Sequence, residues 1–208
     1  MFFLVTGASG VGKSTVRRLI EPEFADVLES AELATLGVTP EWNIAWRQRM
    51  VERMVRRALA RQRGGKHFLL CGDPIPPGEV LAAPSADRLA HLAVCLLDAS
   101  EESQRARLVA RGDDQSLIPH HVAFAQWMRH HVVDHRYRPD VILQNSWSAM
   151  RWDRWNSDEQ VALPWSSQVI DTTQRSPVEV GTLVAKWIRA HLALADPIVR
   201  SSSLHRDG

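Results

Sequence analysis

Phe2-Phe3-Leu4-Val5-Thr6-Gly7-Ala8-Ser9-Gly10-Val11-Gly12-Lys13-Ser14-Thr15 is the stretch from which the rest of the chain is read. Its first five residues are aromatic, aliphatic or β-branched throughout, which predicts a strand buried on both faces. Gly7 to Ser14 then follow the spacing G-x-x-x-x-G-K-[ST] of a phosphate-binding loop, and Val16 to Ile20 continue as a helix. Gly7, Gly10 and Gly12 allow the backbone to turn inward, so that successive N–H groups point at one anion. The helix behind the loop adds its positive end at the same place. Lys13 is the side chain that reaches the β- and γ-phosphates, and the Ser14 hydroxyl is the ligand for Mg²⁺. Ser9, Val11 and Thr15 complete the cradle. The stretch predicts binding of a nucleoside triphosphate, read as ATP with Mg²⁺.

At 208 residues the chain is long enough for one domain with a substantial core. Lys and Arg number 25 against 24 Asp and Glu, and this balance argues against a dedicated nucleic-acid binder. Cys71 and Cys95 each sit inside an apolar run and read as buried free thiols of a reducing compartment. The apolar start is too short for a signal peptide, and no run approaches a membrane span. The expectation is a cytoplasmic protein without a membrane anchor.

Further along, Phe24 to Leu28 reads as a second strand ending at the acidic cluster Glu29-Ser30-Ala31-Glu32. A helix is expected from Glu41 to about Arg63. Met50, Val51, Met54, Val55, Ala58 and Leu59 form its apolar stripe, and arginines 49, 53, 56 and 57 occupy its other face. Lys66 to Cys71 and His91 to Asp98 read as the third and fourth strands. Ser100 caps a helix from Glu101 to Arg111, and Gly112 breaks it. Pro119 opens another helix reaching about His135. Residues 137 to 166 show little periodicity. Gln168 to Asp171 reads as the fifth strand, Pro177 opens the last helix, and the chain from 197 to 208 has the polarity of a disordered tail. Strands alternating with helices predict an α/β domain over 1–196, its parallel sheet covered on both faces, with a lid and insertion at about 112–166. Ligands in such sheets bind at the carboxyl ends of the strands. Glu29, Asp73 and Asp98 end predicted strands, and Asp171 lies near the end of the fifth.

With these residues in place the chain resembles the small P-loop kinases of the nucleoside, gluconate and shikimate kinase group. It is similar in particular to ATP-binding kinase-like proteins of actinobacterial type. The resemblance rests on Gly7 to Thr15, and on Leu96-Leu97-Asp98 followed by Arg105, Arg107-Leu108 and Arg111-Gly112. Val169 to Thr173 before a final helix, and overall size, complete it. It implies the strand order 2-3-1-4-5, a helical lid closing over the triphosphate, and phosphoryl transfer to a small-molecule acceptor. It implies that Arg107 and Arg111 meet the phosphates and that Asp171 and Thr172 border the adenine. The segment from Tyr137 to Trp165 departs from the simplest members by its length and its tryptophans.

Phosphoryl transfer needs positioning, charge neutralisation and a carboxylate beside the acceptor hydroxyl. Glu29 and Asp73 are the two candidates for that acid, with Asp73 also a candidate for holding Mg²⁺ through water. Glu32, Trp42 and Arg47 are candidates for acceptor contacts, the tryptophan as an aromatic wall and the arginine as a cationic rim. His131 and His135 have the i, i+4 spacing of a helical metal pair, which pairing with acidic or phosphate groups explains as well. Trp147, Trp152 and Trp155 interleave with Arg151 and Arg154, as a substrate cap or as packing under the lid. Two other functions fit the same residues: a nucleotide-binding regulatory switch with no acceptor, and a polynucleotide kinase using the arginine-rich helix.

Overall fold

The computed structural model describes residues 1–37, 41, 43–155 and 165–203, with side chains through residue 194. Five parallel strands lie in the order β2-β3-β1-β4-β5. They are β1 (Phe2–Thr6), β2 (Leu28–Ala31), β3 (His67–Cys71), β4 (Leu92–Asp98) and β5 (Ser166–Asp171). β1 is the central strand, paired with β3 through Val5↔Cys71 and with β4 through Thr6↔Leu96. All five of its side chains are buried, as a parallel strand covered on both faces requires.

The alternation of side chains along β1 divides the core into two layers. Phe2 and Leu4 face a cluster built from α2 (Ile44–Arg63), α3 (Pro77–Ala82), α5 (Ile118–His131) and α6 (Asp140–Leu143), closed by Trp155 and Trp165. Phe3 and Val5 face α1 (Lys13–Phe24) and α7 (Pro177–Ser203), with Phe3 edge-on to Trp187 at 5.5 Å. α4 (Glu101–Arg111) leaves the end of β4, and Leu108 on it meets Ile118 and Val122 of α5 in a third, smaller cluster. α5 lies in the stretch 112–166 where a lid is expected, and α4 leads into it.

Several element limits differ from the sequence reading. β2 begins at Leu28 rather than ending there, because Phe24 is taken into α1 and buried under it. Glu29 therefore lies inside the strand. α2 starts at Ile44, where the Asn43 side chain accepts a hydrogen bond from the Trp46 amide at 2.7 Å and caps the helix. α7 runs to Ser203, past the point where a tail was expected.

The described part of the irregular segment packs as a wall of the first core layer. Gln48, fully buried on α2, donates to the Ile142 carbonyl at 2.9 Å and accepts from the Trp147 amide at 2.7 Å. Arg154 donates to the carbonyls of Leu81, Ala83 and Pro84, satisfying the end of α3. Trp155 is buried against Trp152. Of the two readings of this segment, packing is the one the contacts support.

Candidate active site

The loop after β1 turns through three glycines with positive φ, Gly7 at 141°, Gly10 at 87° and Gly12 at 96°. A Cβ on Gly7 would stand 2.2 Å from the Leu97 carbonyl oxygen, so the chain passes β4 at a distance only glycine permits. Lys13 begins α1 and is 5% exposed, its Nζ donating to the Ala8 carbonyl at 2.7 Å across the loop. Burial pushes its ammonium down from the ordinary 10.5 to about 8, partly opposed by Cys71 and Asp73, while Arg111 adds to the fall.

On one side of this loop opens a cleft of about 400 Å³ lined by Gly10, Gly12, Thr15, Arg107, Thr172 and Arg175. Arg107 donates to the Thr172 hydroxyl at 2.9 Å and to its carbonyl at 2.6 Å, so the loop after β5 is tied to α4. Asp171 takes no part in the lining. Its carboxylate accepts from the Thr173 amide and hydroxyl, and it shapes the turn that presents Thr172.

On the other side stand two carboxylates. The register places them: Ala31 pairs with Leu70, and Leu70 with Leu4, so Glu32 and Asp73 emerge beside the start of the glycine loop. Glu32 lies 3.4 Å from the Ser14 hydroxyl and is held by Arg17 at 3.3 Å. A Cβ on Gly72 would strike the Glu32 carboxylate at 2.3 Å, so the bare backbone there makes room for it. Asp73 accepts from the Leu33 amide at 2.6 Å. Burial raises its carboxyl above the ordinary range; the Leu33 bond opposes this, Glu32 adds to it, and Lys13 and Arg17 pull it down. Among the described residues no group of three or more His, Cys, Asp or Glu side chains converges as a cage. A magnesium ion at Ser14 would therefore share its coordination between one or two carboxylates and bound phosphates, which is its usual habit.

The structure does not bring Glu29 to this site. Glu29 pairs with Phe68, which pairs with Phe2, so it lies level with the beginning of β1, at the far end of the strand from the loop. Arg57 and Arg61 of α2 close on its carboxylate. Arg47 is also engaged: its Nε and one terminal nitrogen donate to the fully buried Glu79 at 2.8 and 2.7 Å. Arg49 pairs with Glu41 and Arg56 with Glu52, so the arginine face of α2 is largely neutralised by local acids. Trp42 lies outside the described residues. Arg111 is exposed and bidentate with Asp113, while sharing the electrostatic field of Lys13. His131 and His135 do not form a metal pair. Their rings pack among tryptophans, His131 stacking on Trp127 at 4.4 Å and His135 edge-on to Trp155 at 5.5 Å.

Four participants escape sequence reading. Arg17 holds Glu32, and its only signal is its place four residues after Lys13 on one helix face. Arg175 lines the cleft from a loop without pattern. Thr6 anchors the turn after β3 by donating to the Ile75 carbonyl at 2.6 Å. Gln104 lies among arginines on α4, and its spacing to Leu108 and Arg111 puts the three on one face.

The arrangement of strands and helices recurs in solved structures. A sugar kinase from Janibacter sp. HTCC2649 superposes with a TM-score of 0.56 over 90% of this chain and 94% of its own, at 18% identity. This is the fold of the P-loop kinases. An APS kinase of Mycobacterium tuberculosis, in complex with AMPPNP and APS, superposes with a TM-score of 0.51 over 90% of this chain and 96% of its own, at 14% identity. No protein-family model and no curated protein matches the chain. Among the described residues no helix is long and apolar enough to cross a membrane.

Proposed function

We propose that the protein is an ATP- and Mg²⁺-dependent kinase that phosphorylates a hydroxyl group of a small molecule, in the class of nucleosides, sugar-like metabolites and natural products. One observation carries this: Lys13 lies between a nucleotide-sized cleft and a pair of acids, Glu32 and Asp73, at the carboxyl edge of the sheet. A protein that only bound nucleotide would use Glu32 for its magnesium ion, but would have no need of a second acid, Asp73, with a raised pKa beside it.

Each residue then has a part. The loop amides and Lys13 hold the β- and γ-phosphates; Thr15, Arg107, Thr172 and Arg175 border the nucleoside. Ser14, with Glu32 beside it, is the place for Mg²⁺, which when bound neutralises charge between the β- and γ-phosphates. Asp73 keeps one oxygen on the Leu33 amide, and its raised pKa makes it a better proton acceptor than an ordinary carboxylate, so it orients the acceptor hydroxyl and takes its proton. Arg111 exchanges Asp113 for phosphate oxygens as charge develops. The paired arginines of α2 leave little free cationic surface for a polynucleotide.

The test begins with acceptor-dependent ADP release across a metabolite library, followed by single-turnover transfer with whichever acceptor is found. Asp73→Asn and Glu32→Gln should each lower turnover by about two to four orders of magnitude with the fold retained. Glu29→Gln should leave transfer unchanged. Full activity in Asp73→Asn and Glu32→Gln together removes the assignment, and no acceptor in a broad library turns the reading toward a regulatory switch.

A further inference from the structure

Gln104 is a polar side chain on α4 that the nucleotide and acceptor sites do not use, yet it is 1% exposed. Its amide nitrogen donates to the Ser9 carbonyl of the phosphate loop at 2.9 Å and to the His121 carbonyl of the lid helix α5 at 3.2 Å. Both protons of the amide are thereby used, one on each element. The reverse orientation of the amide would set its oxygen against two carbonyl oxygens, so the hydrogen bonds themselves fix which atom is nitrogen. Its oxygen, Oε1, is buried without a hydrogen-bond partner, an open acceptor between the loop and the lid.

The surroundings of Gln104 make it a joint rather than a filler. One turn on, Leu108 underlies the loop so closely that a Cβ on Gly10 would stand 3.2 Å from its side chain. On the adjoining face Arg107 grips Thr172 across the nucleotide cleft, and Arg111 at the end of α4 lies in the field of Lys13. Ser9 follows Ala8, whose carbonyl accepts from Lys13. A phosphate that draws Lys13 off Ala8 therefore acts one residue away from the bond that Gln104 makes. On its other side, His121 sits three residues into α5, the helix that Arg129 pins to the end of β4 through Asp98 at 2.7 Å.

We infer that Gln104 is a positioning residue that couples occupancy of the phosphate loop to placement of the lid, by holding the Ser9 and His121 carbonyls with a single amide. It touches neither nucleotide nor acceptor. Its action is to make the lid helix follow the loop, with Oε1 free to receive a donor as α4 and α5 move together. This rests on the kinase reading above, since it takes the lid to close over a bound triphosphate.

Hydrogen–deuterium exchange of residues 112–135, with and without a β,γ-imido ATP analogue and Mg²⁺, measures the coupling apart from catalysis. Calorimetry of the same analogue runs alongside. In the wild type the analogue should slow lid exchange. In Gln104→Leu, of similar volume but with no donor, the analogue should still bind within about threefold. The protection of the lid should fall by about tenfold, a usual size for the coupling between two sites. In turnover, kcat should drop while KM for ATP moves little. Gln104→Asn keeps an amide too short to span both carbonyls, and it should show the same loss, so the test survives if the leucine variant does not fold. A residue that only stabilised the fold would lower the melting temperature and raise exchange equally with and without the analogue; that result overturns the inference, as does full protection in Gln104→Asn. A wild type that binds no analogue removes the kinase reading instead, and the inference with it.

Discussion

Lys13 offers a proton-linkage experiment whose magnitude follows from its burial. In the protein without nucleotide, desolvation sets its pKa at about 8, against 10.5 for the exposed side chain. A fall of that size means the ammonium is disfavoured by about 3 kcal/mol in its site. The phosphates of a triphosphate reverse this, because an anion against the ammonium favours the charged form. At pH 8.5 roughly three-quarters of Lys13 is neutral before binding, and binding should take up about 0.7 to 0.8 of a proton per nucleotide. At pH 7 the uptake should be about 0.1. Above pH 8 the apparent Kd should rise by up to about tenfold for each unit of pH. Titration calorimetry in two buffers of different ionisation enthalpy gives the proton count directly. Asp73, whose carboxyl burial also raises, remains in Lys13→Arg, so the difference between the two proteins isolates the share of Lys13. The Cys71 thiol is pushed up to about 12 by burial, and the His121 imidazole is held below its ordinary value of 6.5, also by burial. The terminal amine of Met1, which bonds to His67, lies at the opposite edge of the sheet. Lys13→Arg, whose guanidinium stays ionised, should bind more weakly with no uptake. Without nucleotide, the unfolded state binds more protons than the native state between about pH 8 and 10.5, so stability should rise with pH across that window. Tight binding with less than about 0.2 proton taken up at pH 8.5 would refute the argument, since Lys13 would then be charged throughout or remote from the phosphates.

Three further outcomes follow from single contacts. Gly72→Ala puts a methyl 2.3 Å from the Glu32 carboxylate at a φ of 142°, so single-turnover transfer should fall at least as far as in Glu32→Gln; unaltered transfer would show that Glu32 need not be held at Ser14. Glu79→Gln strips the counter-charge from Arg47 and should lower stability by about 3 to 5 kcal/mol in urea unfolding, as breaking a buried pair does; a loss below about 1 kcal/mol would mean Arg47 turns out to water. His131 accepts from the Gly78 amide in a fully buried site, and burial first, then His135, pushes its pKa down to about 3. Stability should therefore fall by up to about 1.4 kcal/mol per pH unit as the pH drops below 6.5 toward 3. His131→Gln should flatten that slope, and parallel slopes in the two proteins would remove the assignment.

The phosphate loop was legible without a structure because its chemistry is local. Three glycines, a lysine and a serine within eight residues set both the backbone turn and its charge, and the strand before and helix after supply their own periodicity. The strand order came with the resemblance, and the structure has it. Arg107 and Thr172 came with the resemblance, and the structure joins them by hydrogen bonds between the interior of α4 and the residue that follows β5. The choice among acids was not. Whether Glu29 or Glu32 faces Ser14 depends on where β2 starts, and that turns on Phe24 being buried under α1 rather than beginning a strand. A shift of this kind carries every side chain to a different level and face of the sheet, and nothing within the residues themselves signals it. The arginines of α2 posed the same problem. Arg49 and Arg56 find local acids, but the partners of Arg57 and Arg47, Glu29 and Glu79, lie 28 and 32 residues away in the chain, so a face that reads as free cation is largely neutralised. Gln104 is the furthest case. Its two partners are backbone carbonyls 95 and 17 residues distant, which have no sequence identity to recognise, and only packing of α4 between loop and lid brings them to one amide nitrogen.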